Sequence, residues 1–135
     1  MNRRSVSTFR VRYAETDQMG LVHHAAYLVW CEIGRTDFIR ELGTSYAEIE
    51  RSGVLLAVAD ASLRYGAGAR YDDLVRVETR LEQLRSRTLT FAYEIGRVEP
   101  RPGPLAEATT TLVCIDTEGR TRRLPGAVAG LFEGA

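Results

Sequence analysis

Residues 10–35 read R-V-R-Y-A-E-T-D-Q-M-G-L-V-H-H-A-A-Y-L-V-W-C-E-I-G-R, and this stretch predicts the end of a strand, a tight loop and the start of a long helix. Apolar Phe9, Val11 and Tyr13 alternate with arginines, the period-two pattern of a half-buried strand. The alternation ends at Glu-Thr-Asp-Gln, and Gly20 then permits the positive φ of a sharp reversal. Apolar residues next recur at helical spacing, at Tyr27, Cys31, Gly34, Phe38 and Leu42. One helix face is therefore predicted to be apolar along its whole length.

The composition is that of an ordinary soluble globular protein. The 135 residues fit one domain over 1–135, with 44% hydrophobic residues and a formal net charge of zero. This balance gives no support to nucleic-acid or membrane binding as the main function. The sequence has no lysine, and its many arginines suit phosphate binding.

Targeting and redox features favour a cytoplasmic protein. The N-terminal residues MNRRSVST have no apolar core after their arginines, so we expect no signal peptide. No run approaches the roughly 18 apolar residues of a membrane span. Cys31 and Cys114 lie in helical and strand patterns, and we expect both to be buried, reduced thiols without a catalytic role.

Two helices are predicted in the first half of the chain. The long one begins at His24 or Ala25 and ends at Leu42. Its first half is apolar on nearly every side, so we expect it to be enveloped by the rest of the protein. The S-x-x-E pattern at 45–48 is a capping box and predicts a short helix over 46–51.

Strands are predicted in the second half. The continuous apolar run Val54–Val58 indicates a strand buried on both faces. Further strands are predicted over 75–82, 89–95 and 105–116. The prolines in 100–104 predict a loop outside the sheet, and the segment from Pro125 a loosely packed tail or one helical turn. Strands that follow one another directly pair antiparallel, so an α+β fold is expected, with one sheet curled around the long helix.

A family resemblance lies in the motif from Tyr13 to Arg35, Y-x-E-T-D-x-M-G-x-V-H-H-x-x-Y-x-x-W-x-E-x-x-R. It resembles the signature of hotdog-fold acyl-CoA thioesterases of the 4-hydroxybenzoyl-CoA and Tol-Pal-associated types, and segments 61–73 and 87–91 are similar to that family too. The resemblance implies a hotdog fold, a five-stranded antiparallel sheet wrapped around one long central helix. It also implies a homodimer or homotetramer that hydrolyses an acyl-CoA thioester. His23-His24 stands where some members have Tyr-His, which leaves the acyl specificity open.

The catalytic prediction concerns Asp17 and His24. Thioester hydrolysis needs a nucleophile or an activated water, and a group that holds the negative charge developing on the carbonyl oxygen. Asp17 can supply the first, and unpaired N–H groups at the helix start, with about half a positive charge, the second. The resemblance implies Asp17 as nucleophile or general base and the His24 backbone N–H as the oxyanion donor. The alternative for Asp17 is a loop residue whose carboxylate caps the turn.

The candidate substrate-binding residues are Gly20, His23, Tyr27, Arg85 and Arg87. The resemblance implies that Arg85 and Arg87 contact CoA phosphates, with help from the arginines at 120, 122 and 123. For each arginine the alternative is a solvated side chain.

Several neighbouring residues have simpler interpretations. The His23 and His24 side chains are expected to line the acyl pocket or cap the helix, and adjacent histidines without a further cluster predict no metal. Core packing is the alternative for Tyr27. We expect Glu15 to be solvated or salt-bridged, and Glu32 to form a helix ion pair with Arg35.

Two rival functions remain open: a hotdog dehydratase or hydratase, and a non-catalytic acyl-CoA-binding protein. A dehydratase needs a histidine paired with an acid at the carbon chain, whereas here the histidines follow the aspartate of the loop. The sequence leaves open the acyl group, the choice between dimer and tetramer, and the choice between nucleophile and general base. No residue implies a cofactor.

Overall fold

The computed structural model describes residues 3–135, which form one antiparallel sheet and three α-helices. The elements in chain order are β1 (Arg4–Arg10), α1 (Ala26–Glu41), α2 (Tyr46–Arg51), β2 (Leu55–Tyr65), β3 (Leu74–Leu84), β4 (Thr88–Glu99), β5 (Gly103–Ile115) and α3 (Gly126–Phe132). The strand order is β1-β3-β4-β5-β2, and every neighbouring pair is antiparallel. The long helix α1 packs mainly against β1 and β3. The predicted α+β class and the predicted short helix over 46–51 are both confirmed.

The core lies between α1 and the inner face of the sheet. The alternation predicted for β3 is confirmed, because Val75, Val77 and Leu81 are buried while the intervening arginines and glutamates face outward. The largest fully buried side chains are aromatic or aliphatic and include Trp30, Phe38, Phe91 and Phe132.

Gly34 allows α1 to approach the sheet closely. A Cβ atom built at Gly34 would lie 2.3 Å from Thr79 Oγ1 and 3.0 Å from Val77 Cγ1. Helix and strand are thus in contact at a position where any side chain would collide, so the glycine in the predicted apolar face is required by packing.

The first strand is shorter than predicted. It ends at Arg10, and Tyr13–Glu15 form one 3₁₀ turn. The Val11 N–H donates to the Asp73 carbonyl at 2.9 Å, and its carbonyl accepts from Asp72 N–H at 3.0 Å, so the chain leaves the sheet edge to pair with a turn. Tyr13 is 76% exposed as a result.

The two segments predicted to be enveloped are partly exposed. β2 is an edge strand, and Val58, predicted to be buried on both sides, is 52% exposed. In α1 the side chains of Leu28 and Val29 lie on the surface, 40% and 45% exposed. The described residues thus leave the β2 edge of the sheet and part of the apolar helix uncovered.

Two predictions in the C-terminal half were wrong. Gly103 and Pro104 belong to β5, because the register shift between Ile95 and Gly96 tolerates a proline without an N–H. The segment from Pro125 forms α3 rather than a loose tail or a single turn, and its Phe132 is fully buried with its ring 6.4 Å from that of Phe91.

Candidate active site

The loop that follows β1 is closed by a compact turn at Asp17. The Asp17 N–H donates to the Leu21 carbonyl at 2.8 Å, and the Gly20 N–H donates to the Asp17 carbonyl at 3.0 Å. Gly20 has φ of +80°, a conformation that favours glycine. The positive φ predicted for Gly20 is confirmed, and its role in the described structure is to form this turn.

The Asp17 carboxylate caps the turn with one oxygen. Oδ1 accepts from the N–H groups of Met19 at 2.8 Å and Leu21 at 3.2 Å. Within residues 3–135, Oδ2 accepts no hydrogen bond. The carboxylate is therefore oriented by the backbone while one oxygen stays available, so capping and chemistry are compatible.

The same turn occurs a second time in the chain. Asp116 Oδ1 accepts from Glu118 N–H at 2.8 Å and from Arg120 N–H at 3.0 Å, and Gly119 has φ of +82°. Turn geometry alone therefore does not distinguish Asp17. What distinguishes it is that its turn leads into the N-terminus of α1.

At the start of α1, the His24 N–H has no hydrogen-bond partner among the described residues. The His23 N–H donates to the Glu15 carbonyl at 2.7 Å, and the Ala25 N–H donates to His23 Nδ1 at 3.2 Å. Between them, the His24 N–H makes no hydrogen bond within the described part of the chain, while the His24 carbonyl accepts from the Tyr65 hydroxyl at 2.9 Å. A free N–H at a helix N-terminus favours a negatively charged oxygen.

The two histidine side chains are exposed. Their rings stack on each other with centroids 4.4 Å apart. His23 Nδ1 caps the Ala25 N–H, which agrees with one of its two expected roles. Tyr27, in contrast, is buried in the core against Trp30 and Tyr65, and burial raises the pKa of its hydroxyl.

Glu15 is buried and salt-bridged, the second of the two states expected for it. Its side chain is 9% exposed, and its ion-pair partner is Arg12 at 3.2 Å, which had not been predicted from the sequence. It also accepts from the Trp30 indole N–H at 2.8 Å, a contact that no sequence pattern had indicated. Burial acts to raise the pKa of Glu15, but the hydrogen bonds from Arg12 and Trp30 outweigh it and lower the pKa below its ordinary value.

The structure does not bring Arg85 and Arg87 to the Asp17 loop of the same protomer. They form the turn after β3, and the loop follows Arg10, which pairs with Leu74 at the other end of that strand. β3 has 11 residues, so at about 3.3 Å per residue its ends lie about 33 Å apart. Arg85 instead lines a cavity of about 330 Å³ with Arg123, beside α3.

The predicted ion pair between Glu32 and Arg35 is absent from the described residues. Arg35 donates to the Tyr93 hydroxyl at 3.4 Å instead, and that hydroxyl lies 2.6 Å from Thr110 Oγ1. The Arg35 guanidinium is thus bound by Tyr93 of β4 and not by Glu32 of its own helix.

Both cysteines are free and buried, as predicted. Burial raises the pKa of Cys31 to about 12, so its thiolate is not accessible at neutral pH. In residues 3–135 no three His, Cys, Asp or Glu side chains converge as a metal-binding group. Among the helices described there, none is long and apolar enough to cross a membrane.

Comparison with known proteins decides the family, because the thioesterase-like superfamily matches residues 11–132. The chain belongs to this superfamily. This thioesterase is 40% identical over 114 residues to YneP of Bacillus subtilis, covering 84% of this chain and 81% of YneP. It is 31% identical over 125 residues to the acyl-CoA thioester hydrolase YbgC of Escherichia coli O157:H7, covering 92% of each chain.

Solved structures agree with this assignment. The DHNA-CoA thioesterase of Staphylococcus aureus superposes with a TM-score of 0.84 at 33% identity, covering 90% of this chain and 80% of that one. The predicted hotdog thioesterase family, its fold and the enzyme class of thioester hydrolase are thereby confirmed.

Proposed function

We propose that this thioesterase hydrolyses an acyl-CoA thioester to the free acid and CoA, with Asp17 as the catalytic carboxylate. The observation that carries the proposal is that the loop and the helix start each present a group without a partner among the described residues: Asp17 Oδ2 and the His24 N–H. The naming of YbgC as an acyl-CoA thioester hydrolase supports CoA as the thiol part of the substrate.

The chemistry needs only these two groups and water. As a general base, Asp17 takes a proton from water, and the hydroxide adds to the thioester carbonyl carbon. The His24 N–H donates to the resulting oxyanion. The C–S bond then breaks, and the CoA sulfur takes the proton from Asp17. As a nucleophile, Asp17 adds directly and releases CoA, and water hydrolyses the anhydride that forms.

The test is Asp17→Asn, followed by release of free thiol from a panel of short, long and aromatic acyl-CoAs. Asparagine keeps the turn-capping oxygen but loses the negative charge, so kcat should fall by at least about a hundredfold while acyl-CoA still binds. Asp116→Asn is the matched control, because it makes the same change in the same turn at the other end of the sheet.

The outcomes separate the possible functions. An Asp17→Asn variant with a rate within a few-fold of the parent would exclude Asp17 as the catalytic group. A parent that binds acyl-CoAs but releases no thiol from any of them would be a binding protein. Hydration of an enoyl-CoA without thiol release would identify a hydratase.

We further propose that the active site is completed by a second copy of the chain. Met19, His23 and His24, which flank the two groups, are exposed in the described protomer, so a partner can cover the acyl group at this site. β2 has an unpaired edge with exposed Val58, which an antiparallel β2 of a second copy would cover.

Such pairing also accounts for the distant arginines. The Tyr65 end of β2 contacts the start of α1, and the Leu55 end pairs with Ile115, beside the turn that contains Arg85 and Arg87. Because antiparallel β2 strands place opposite ends side by side, Asp17 of one protomer lies at the same end of the dimer as the partner subunit's Arg85 and Arg87. We propose that these arginines bind the phosphates of the CoA that Asp17 hydrolyses.

A further inference from the structure

Glu15 receives three hydrogen-bond donors in a buried position. Its Oε1 accepts from the Arg12 backbone N–H at 2.8 Å. Its Oε2 accepts from the Trp30 indole N–H at 2.8 Å and from the Arg12 guanidinium at 3.2 Å. Only a carboxylate can accept from all three, because a glutamine would turn its NH₂ group toward one of the donors.

The same residue joins the two ends of the Asp17 loop through its backbone. The Glu15 carbonyl accepts from the His23 N–H at 2.7 Å, and the adjoining residues Thr16 and Val22 form an isolated β-bridge. Asp17 therefore lies two residues after Glu15, at one end of this backbone contact. His24 lies directly after the other end.

We propose that Glu15 is a positioning residue that holds the Asp17 carboxylate and the His24 N–H in their mutual geometry by tying the loop to Trp30 of α1. This inference rests on the proposed function. Trp30 is fully buried and its ring packs against Tyr27 and Phe9, so the indole is a rigid anchor. Glu15 itself is enclosed by its protein partners, so it acts through the loop and has no part in proton transfer.

The ionised form of Glu15 is the one that the site stabilises. Burial alone would raise the pKa, yet the convergent donors lower it, so the group stays charged at neutral pH. A neutral replacement removes this charge and leaves at least one buried donor without an acceptor. The loop then loses its fixed position relative to the helix.

The test compares Glu15→Gln and Trp30→Phe, which remove the contact between loop and helix from opposite sides. Misplacement of a catalytic group by about 1 Å costs on the order of a hundredfold, so each change should lower kcat about tenfold to a hundredfold. The KM should stay within about twofold of the parent, because both side chains are buried. Glu48→Gln is the control, since Glu48 is also paired with an arginine but lies on the surface of α2.

The decisive measurement is made in the Asp17→Asn background. If Glu15 positions Asp17 relative to the His24 N–H, the Asp17 part of its effect is already lost there, so adding Glu15→Gln should lower the residual rate by a clearly smaller factor than it lowers the parental rate. The same proportional loss in both backgrounds would show a general loss of folded enzyme and overturn the inference, as would a Glu15→Gln rate within about twofold of the parent. Where Glu15→Gln does not give a folded protein by circular dichroism, Trp30→Phe decides by the same criteria. Parental activity in Asp17→Asn alone would instead refute the proposed function.

Discussion

Mixed oligomers offer a direct test of whether Asp17 and the proposed phosphate-binding residues Arg85 and Arg87 come from different protomers. One subunit carries Asp17→Asn, and the other carries Arg85→Ala together with Arg87→Ala. The intervening strand β3 separates the two sets by about 33 Å within a chain. In the proposed dimer, antiparallel β2 strands would bring them to the same end.

The expected recovery follows from counting intact sites. Random exchange of equal amounts gives about half mixed dimers. In each mixed dimer one site combines both defects, while the other combines native Asp17 with native arginines from the partner subunit. Half of the sites in half of the dimers are therefore intact, and the mixture should reach about a quarter of the parental activity.

The two parent variants must each be impaired for this recovery to be visible. A hydrogen bond to a charged group contributes about 1.5–3 kcal/mol, so loss of two phosphate contacts should lower kcat/KM by at least about a hundredfold. The effect should appear mainly in KM and weaken with salt, because the contact is the same in substrate and transition state. The assay is thiol release at substrate concentrations below KM and at low ionic strength.

Three results would refute the reasoning. Activity equal to the mean of the two variants would place the arginines and Asp17 in the same protomer. Unchanged KM values in the arginine variant would show that Arg85 and Arg87 are only solvated. A fully active monomer in sedimentation at micromolar concentration would remove the shared site altogether.

Two further predictions concern stability. Gly34→Ala should destabilise the protein by about 1–3 kcal/mol in urea unfolding, because the added methyl collides with Thr79 and Val77. Thr79→Ala in the same chain should restore part of the lost stability. No loss of stability in Gly34→Ala would mean that α1 shifts freely over the sheet. The lowered pKa of Glu15 means that its stabilisation is present above the unfolded-state pKa and is lost as the pH falls through the folded-state pKa. The stability difference between the parent and Glu15→Gln should therefore be largest at neutral pH and shrink in acid, whereas a difference that grows in acid would contradict the assigned role of the charge.

Local sequence patterns predicted much of the fold. The alternation in β3 and the helical recurrence of Tyr27, Cys31, Gly34 and Phe38 placed those elements, because burial of one face imposes a period on the sequence. The capping pattern before α2 likewise gave its first residue, since Ser45 Oγ accepts from Glu48 N–H. The turn at Asp17 was also readable, because its glycine takes the positive φ that the sequence had indicated.

Long-range contacts decided what these signals could not. The alternation of Val11 and Tyr13 continues the strand pattern, yet the chain leaves the sheet because residues 72–73 offer backbone partners. The apolar run around Val58 became an exposed edge, since strand order is fixed by topology and not by the hydrophobicity of one strand.

The features of the site likewise divide into those that local sequence predicted and those that depend on long-range contacts. The sequence alone predicted a tight loop with a reversal at Gly20 followed by an apolar helix, and the resemblance pointed to Asp17 and His24. An identical turn at Asp116 shows that such a pattern is not sufficient. The burial of Glu15 against Trp30 and the position of Arg85 at the far end of the sheet could be read only from the folded protein, because both depend on how distant segments pack.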